Sequence, residues 1–180
     1  MFHTDTQPID SSPRSSVPTV RSERDEPFYR FEAQLQFAPI GIVPEGLRMA
    51  LSFDGTVVSG PLEGARVWGT DPLVIRSDGI GVLDVSKIIS LGDGVNLYEH
   101  VRGFCSPPPG MDVPPLEVIG APGFTFPDVP FPITGFSTFA AASPHYTHLN
   151  RRLARIDGHA SFATGRLVIE ARLVDPRSVA

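Results

Sequence analysis

Tyr98-Glu99-His100-Val101-Arg102 places a phenol, a carboxyl, an imidazole and a guanidinium within five residues. In an extended strand, neighbouring side chains point to opposite faces. Tyr98, His100 and Arg102 therefore share one face, and Val95, Leu97, Glu99 and Val101 the other. Turned toward a cavity, the first face presents groups suited to proton transfer and oxyanion stabilisation. Turned inward, the second makes Glu99 a buried carboxyl and a general-base candidate. A third arrangement leaves the polar trio in water and pairs Glu99 with an arginine. His100 and Glu99 are the candidate proton-transfer groups, with Tyr98 and Arg102 as oxyanion or orienting partners. Since His100 and Glu99 are neighbours, only one of them is expected to line a cavity.

Asp84 shares a strand face with Ile80, Val82, Ser86 and Ile88, opposite Gly81, Leu83, Val85 and Lys87. A carboxylate on an apolar face is costly unless paired, so Asp84 either meets an arginine such as Arg76 or serves a site. His145 and His148 have helical metal spacing, but no second ligand pair accompanies them and no metal is expected. Arg151, Arg152 and Arg155 read as a solvated basic face. Cys105, beside a proline run, lacks the surroundings of a cysteine nucleophile. No Gly-x-Ser-x-Gly elbow, Walker loop or dinucleotide fingerprint is present, so no cofactor is expected.

The elements that must position these groups are strands. Glycine (17) and proline (19) break the 180-residue chain so often that the longest run free of both is His145–Asp157. A helical bundle is excluded. Tyr29, Phe31, Ala33, Leu35 and Phe37 alternate with polar residues, as do Leu47, Met49, Leu51 and Phe53. That is the period of a strand with one wet face. Asp54-Gly55 reads as a hairpin turn leading to Thr56–Ser59. Further strands are expected at Ala65–Gly69, Pro72–Arg76, Ile80–Ser90, Val95–Phe104, Gly135–Ala142 and Arg166–Val174. Between Ser143-Pro144 and Asp157, the spacing of Tyr146, Leu149, Leu153 and Ile156 fits a helix as well as a strand.

Nine prolines between Phe104 and Thr134 rule out a central strand there and require a long loop. Its aromatic residues Phe124, Phe126 and Phe131 are candidates to cap a ligand cavity. Residues 1–27 hold five apolar side chains against twelve Ser, Thr or Pro, which reads as a disordered tail before a single domain, 28–180. The net charge of −5 disfavours nucleic-acid and anionic-membrane partners. No apolar run reaches the length of a membrane helix. One cysteine and no signal-peptide pattern point to the cytoplasm.

Gly55-x-Val57-x-x-Gly60-Pro61-x-x-Gly64, Gly69-Thr70-Asp71, Arg76-x-Asp78-Gly79, Leu83-Asp84-Val85, Asp93-Gly94 and Tyr146-x-x-Leu149-Asn150-Arg151 resemble the pattern of the domain of unknown function 3237 family, also called uncharacterised protein family 0311. The resemblance spans about residues 29–175. It implies a small antiparallel β-barrel, calycin-like or allene-oxide-cyclase-like, and self-association as a homodimer or higher homo-oligomer. It favours a strand after Leu149, and Tyr146 and Asn150 in its last motif join the candidate substrate contacts.

Eight or nine strands suffice to close a barrel that holds side chains or one small ligand. The expected protein is all-β, a single antiparallel barrel with a long Pro-rich loop. Its expected function is that of a cofactor-independent lyase, isomerase or cyclase acting by acid–base chemistry on a small apolar or aromatic molecule. A non-catalytic small-molecule carrier and an oligomeric structural module are the alternatives.

Overall fold

Strict alternation from Tyr29 onward builds the longest strand, β1 (Tyr29–Val43), whose buried positions begin with Tyr29, Phe31 and Leu35. It turns back through Pro44-Glu45 into β2 (Gly46–Ser59), which buries Leu47, Met49, Leu51, Phe53 and Val57. The structure, a computed structural model, describes residues 26–174. All but the last two residues of the expected tail lie outside that range.

Seven further strands follow: β3 (Arg66–Asp71), β4 (Val74–Ile75), β5 (Gly81–Ser90), β6 (Asn96–Cys105), β7 (Phe131–Ala141), β8 (Leu153–Ser161) and β9 (Arg166–Leu173). All their pairings are antiparallel, in the order β1-β9-β8-β7-β6-β5-β3-β2, and β1 pairs with β2 to close an eight-stranded barrel. The two-residue β4 continues the line of β3, pairing with both β2 and β5. The break between them falls at Pro72, which has no N–H to give a ladder. The next residue, Leu73, is buried, and its carbonyl accepts a hydrogen bond from the Met49 N–H at 2.9 Å.

Inward faces supply one continuous apolar core, while the outer wall carries ion pairs such as Arg30–Glu170, Arg166–Glu32 and Arg155–Asp157. This polarity, apolar inside and charged outside, is the reverse of a lipid-exposed barrel. Among the described residues, no helix is long and apolar enough to cross a membrane.

Asp54-Gly55 is not a turn. Strand β2 runs straight through it, with Gly55 opposite Ala33. A Cβ at Gly55 would strike the Glu32 carbonyl and the Ala33 backbone, so the glycine serves the close approach of β1 rather than a hairpin. Gly55→Ala is therefore expected to cost about 1–3 kcal/mol, the usual scale of overpacking, measured by urea unfolding. A loss below about 0.5 kcal/mol would show that the two strands can part freely.

The long loop, 106–130, contains one helical turn, α1 (Leu116–Ile119), and lies over one end of the barrel. Met111, Leu116, Ile119, Phe126 and Val129 pack against the core there. The other end is plugged by Leu62 and by a 3-10 turn at Thr147–Arg151, whose Leu149 is fully buried. After Ser143-Pro144 the chain thus forms one short 3-10 turn and then β8, so the helical spacing of Tyr146 and Leu149 ends before Leu153.

Candidate functional site

The β5–β6 ladder decides which face of each strand looks inward. Leu83, Val85, Lys87 and Ile89 of β5 face the core, as do Leu97, Glu99, Val101 and Cys105 of β6. Register pairs Lys87 directly with Glu99, so an ammonium and a carboxylate meet inside the barrel.

Glu99 is fully buried and Lys87 is 3% exposed. Their side chains approach to 3.3 Å at Glu99 Oε2. From across the lumen, the Tyr29 hydroxyl donates to the same oxygen at 2.7 Å and accepts from Lys87 Nζ at 2.7 Å. Lys87 also lies over the Tyr29 and Phe31 rings, at 5.1 and 5.0 Å. Burial, reinforced by the Glu99 charge, drives the Tyr29 phenol well above its ordinary range. Burial pulls the Lys87 ammonium down, and Glu99 only partly offsets it. Glu99 Oε1 and Ser137 Oγ are buried with no hydrogen-bond partner.

Between this cluster and the loop-capped end lies a cavity of about 60 Å³, lined almost wholly by aliphatic and aromatic side chains that include Phe31, Phe53, Val85, Val101 and Ile169. Room for one water needs roughly 10–15 Å³, so the space is large enough for a small ligand fragment. Among the described residues, only Asp71, Lys87 and Cys105 bring titratable side chains to its wall. Asp71 ends β3 and is 4% exposed. Its Oδ1 accepts the Asp84 backbone N–H at 3.0 Å. Burial pushes its carboxyl up to about 6, against the pull of that hydrogen bond and with added repulsion from Asp84. Burial, with the Asp71 charge, pushes the Cys105 thiol up to about 12. At neutral pH Cys105 is an inert thiol and no nucleophile.

Phe124 and Phe126 of the loop and Phe131, which opens β7 rather than lying in the loop as expected, meet around a second space of about 30 Å³, which shares Leu73, Cys105 and Phe162 with the larger cavity. Phe126 stands edge to face with Phe124 and Phe131, Phe131 edge to face with Phe162, and Phe126 and Phe162 are tilted at 32°. Tyr146 and Asn150 stand at the barrel end away from the loop. Tyr146 packs on the core, and the Asn150 side-chain amide bonds both backbone groups of Ala141, at 2.7 and 3.0 Å.

Tyr98, His100 and Arg102 face outward, and so does Asp84. His100 Nε2 lies 2.6 Å from Asp84 Oδ1, Arg102 Nε lies 3.6 Å from the same oxygen, and the Tyr98 hydroxyl is 3.0 Å from Ser86 Oγ. The His100 hydrogen bond, joined by the charges of His100 and Arg102, holds the Asp84 carboxyl below its ordinary range. Asp84 thus pairs with His100 and Arg102. Arg76 bonds Asp78 instead. The buried face of this strand is that of Lys87. Among the described residues, no group of three or more metal-ligating side chains converges.

Asp71, noted only as the end of the Gly69-Thr70-Asp71 motif, and Lys87, placed only on a strand face, are not among the candidate site residues of the sequence, yet both carry a signal. Asp71 falls in step with Val67 and Gly69, and Lys87 with Leu83, Val85 and Ile89. A charge in the register of apolar residues marks an inward polar group.

Solved structures share the fold, among them the following three. A conserved protein of unknown function from Rhodopseudomonas palustris aligns at 19% identity and TM-score 0.61, over 83% of this chain and 96% of that one. A protein of unknown function from Clostridium acetobutylicum aligns at 19% and 0.64, over 83% and 97%. A β-barrel-like protein from Acinetobacter baumannii aligns at 22% and 0.61, over 83% and 94%. No curated protein matches the chain. The family model described as "protein of unknown function (DUF3237)" matches residues 24–170, which carry every strand from β1 to β8 and most of β9, and the chain belongs to that family.

Proposed function

We propose that this protein is a cofactor-independent enzyme, a lyase, isomerase or cyclase, that converts a small apolar or aromatic molecule inside the barrel by acid–base chemistry. The observation that carries the reading is Asp71: a buried carboxyl, pushed up to about 6, on the wall of a cavity lined mainly by apolar side chains. A group titrating there exchanges protons readily near neutral pH. An apolar wall selects an apolar ligand and strengthens every charge acting on it. Proton transfer falls to Asp71 because it is the buried acid on the cavity wall. Glu99 is engaged by Lys87 and Tyr29, and His100 stands on the outer wall. Phe124, Phe126 and Phe131 form the gate through which a ligand enters. The same reading sets the protein in the reducing cytoplasm, where its single cysteine stays a thiol. Carriage without conversion is the second reading, favoured by the nearly complete apolar lining.

The test is a panel of small apolar ketones, enones and aromatic alcohols, followed through the methyl resonances of Val85, Val101 and Ile169 and then through product formation. Shifts confined to these luminal methyls, with turnover, are expected. Shifts without turnover of any compound would favour the carrier, and no luminal shift would remove both readings. His100→Ala is expected to keep turnover within about threefold of wild type and stability within about 0.5 kcal/mol, as for surface substitutions generally. A larger loss of turnover would return proton transfer to the outer wall.

A further inference from the structure

Lys87 is the only lysine among the 15 basic residues of the chain. Every other cation, including all those on the outer wall, is an arginine. The one position that takes an ammonium is buried in the lumen, on the wall of the cavity. A guanidinium stays charged under all ordinary conditions, whereas an ammonium can lose a proton and become a nucleophile. The neighbours supply what that change needs. Glu99 Oε2, at 3.3 Å, can take the proton. The Tyr29 hydroxyl, at 2.7 Å from Nζ, holds the nitrogen in place. Gly69, where a side chain would crowd the Lys87 Cβ, leaves room beside it.

We infer that Lys87 is an amine nucleophile that forms an imine with a small aldehyde or ketone held in the barrel cavity. The inference rests on the reading of that cavity as a small-molecule site, and it names the substrate class. Lys87 passes one proton to Glu99, and the freed lone pair on Nζ forms the C–N bond as the carbonyl π electrons move to oxygen. The resulting carbinolamine loses that oxygen as water, taking the proton returned by Glu99 and a second one from Nζ. In balance, an ammonium and a carbonyl give a protonated imine and one water. Asp71, on the same wall, is then the group that moves a proton at the carbon beside the imine, the step that lyases and isomerases of this type need. The groups facing Lys87 are Tyr29 from β1, Glu99 from β6 and, across the cavity wall, Asp71 from β3 and Cys105 from β6.

The chain's single lysine makes the test unambiguous. The full-length protein is incubated with propanal and cyanoborohydride near neutral pH, and the propylated sites are mapped by peptide mass spectrometry. The N-terminal α-amine is the internal reference. Lys87 is expected to be labelled faster than the α-amine. Filling the cavity by Val101→Phe is expected to slow Lys87 labelling at least tenfold while sparing the α-amine. If Val101→Phe fails to fold, Ala160→Val, also on the cavity wall, takes its place. Propanal shifts of the Val85 and Val101 methyls with no Lys87 adduct would overturn the imine and leave the binding cavity standing. Neither adduct nor shift would overturn both. A Lys87 adduct that forms equally fast in the filled variants would mean labelling through the opened chain, and would also overturn the inference.

Discussion

Lys87→Met is expected to destabilise the barrel by about 3–5 kcal/mol at neutral pH, the usual cost of removing one partner from a buried ion pair. Methionine fills most of the lysine volume, so the loss reports the pair and not a cavity. It leaves Glu99 fully buried with the Tyr29 hydroxyl as its one remaining hydrogen bond. Glu99→Gln alone leaves the opposite defect, an ammonium in the lumen without the carboxylate it pairs with. The double variant carries neither charge and is expected to lose less than the sum of the two, by at least about 2 kcal/mol, a coupling within the range for contacting residues. Urea unfolding of the four proteins gives the cycle. A cost below about 1 kcal/mol for Lys87→Met, or additive losses, would mean that the pair is solvated and the lumen open to water.

Asp71→Asn is expected to act in opposite directions on stability and on chemistry. The folded carboxyl, at about 6, lies above the ordinary value of 3.8. The folded protein therefore binds this proton more tightly than the unfolded chain does. The stability it contributes is fully present below about 4, falls as pH rises through about 6, and is absent above. Two pKa units correspond to about 3 kcal/mol. Asparagine stays neutral and keeps an oxygen for the Asp84 N–H. The variant is thus expected to exceed wild type in stability by up to about 3 kcal/mol at pH 7 to 8, with the two converging near pH 4. Turnover of a luminal substrate is expected to fall by about 100- to 10,000-fold, the usual contribution of a general acid–base group. A more stable but inactive variant is the signature of a site that holds its carboxyl at a cost in stability. A variant less stable than wild type at pH 8 would show that the carboxylate is paired and structural.

How far the sequence reaches can be read from particular residues. Period-two alternation at Tyr29–Phe37 and Leu47–Phe53 is a local consequence of one wet face, and these strands stand where the pattern puts them. Asp54-Gly55 misled because a turn dipeptide is a local signal. The need for glycine there comes from β1, which lies more than twenty positions earlier in the chain. Alternation also sorts residues into two faces without saying which is inside. For Glu99 and His100 only barrel closure decides, through the register that sets Glu99 against Lys87 and His100 against Ser86. The cavity wall draws Asp71 from β3, Lys87 from β5, Cys105 from β6 and Ile169 from β9. No spacing within one segment could assemble that set. The prolines correctly called for a loop that holds Phe124 and Phe126, but Phe131 opens β7, where Pro132 pairs with His159 of β8 despite having no N–H to give. That the three aromatics share a space with Leu73 and Phe162 is a tertiary fact.

The measurement closest to the central claim is the pH titration of the Asp71 side-chain carboxyl carbon by NMR, assigned by comparison with Asp71→Asn. A midpoint near 6 that moves when a small apolar molecule enters the lumen is the expected result. A midpoint near the ordinary aspartate value of about 4, unmoved by any such molecule, would contradict the account.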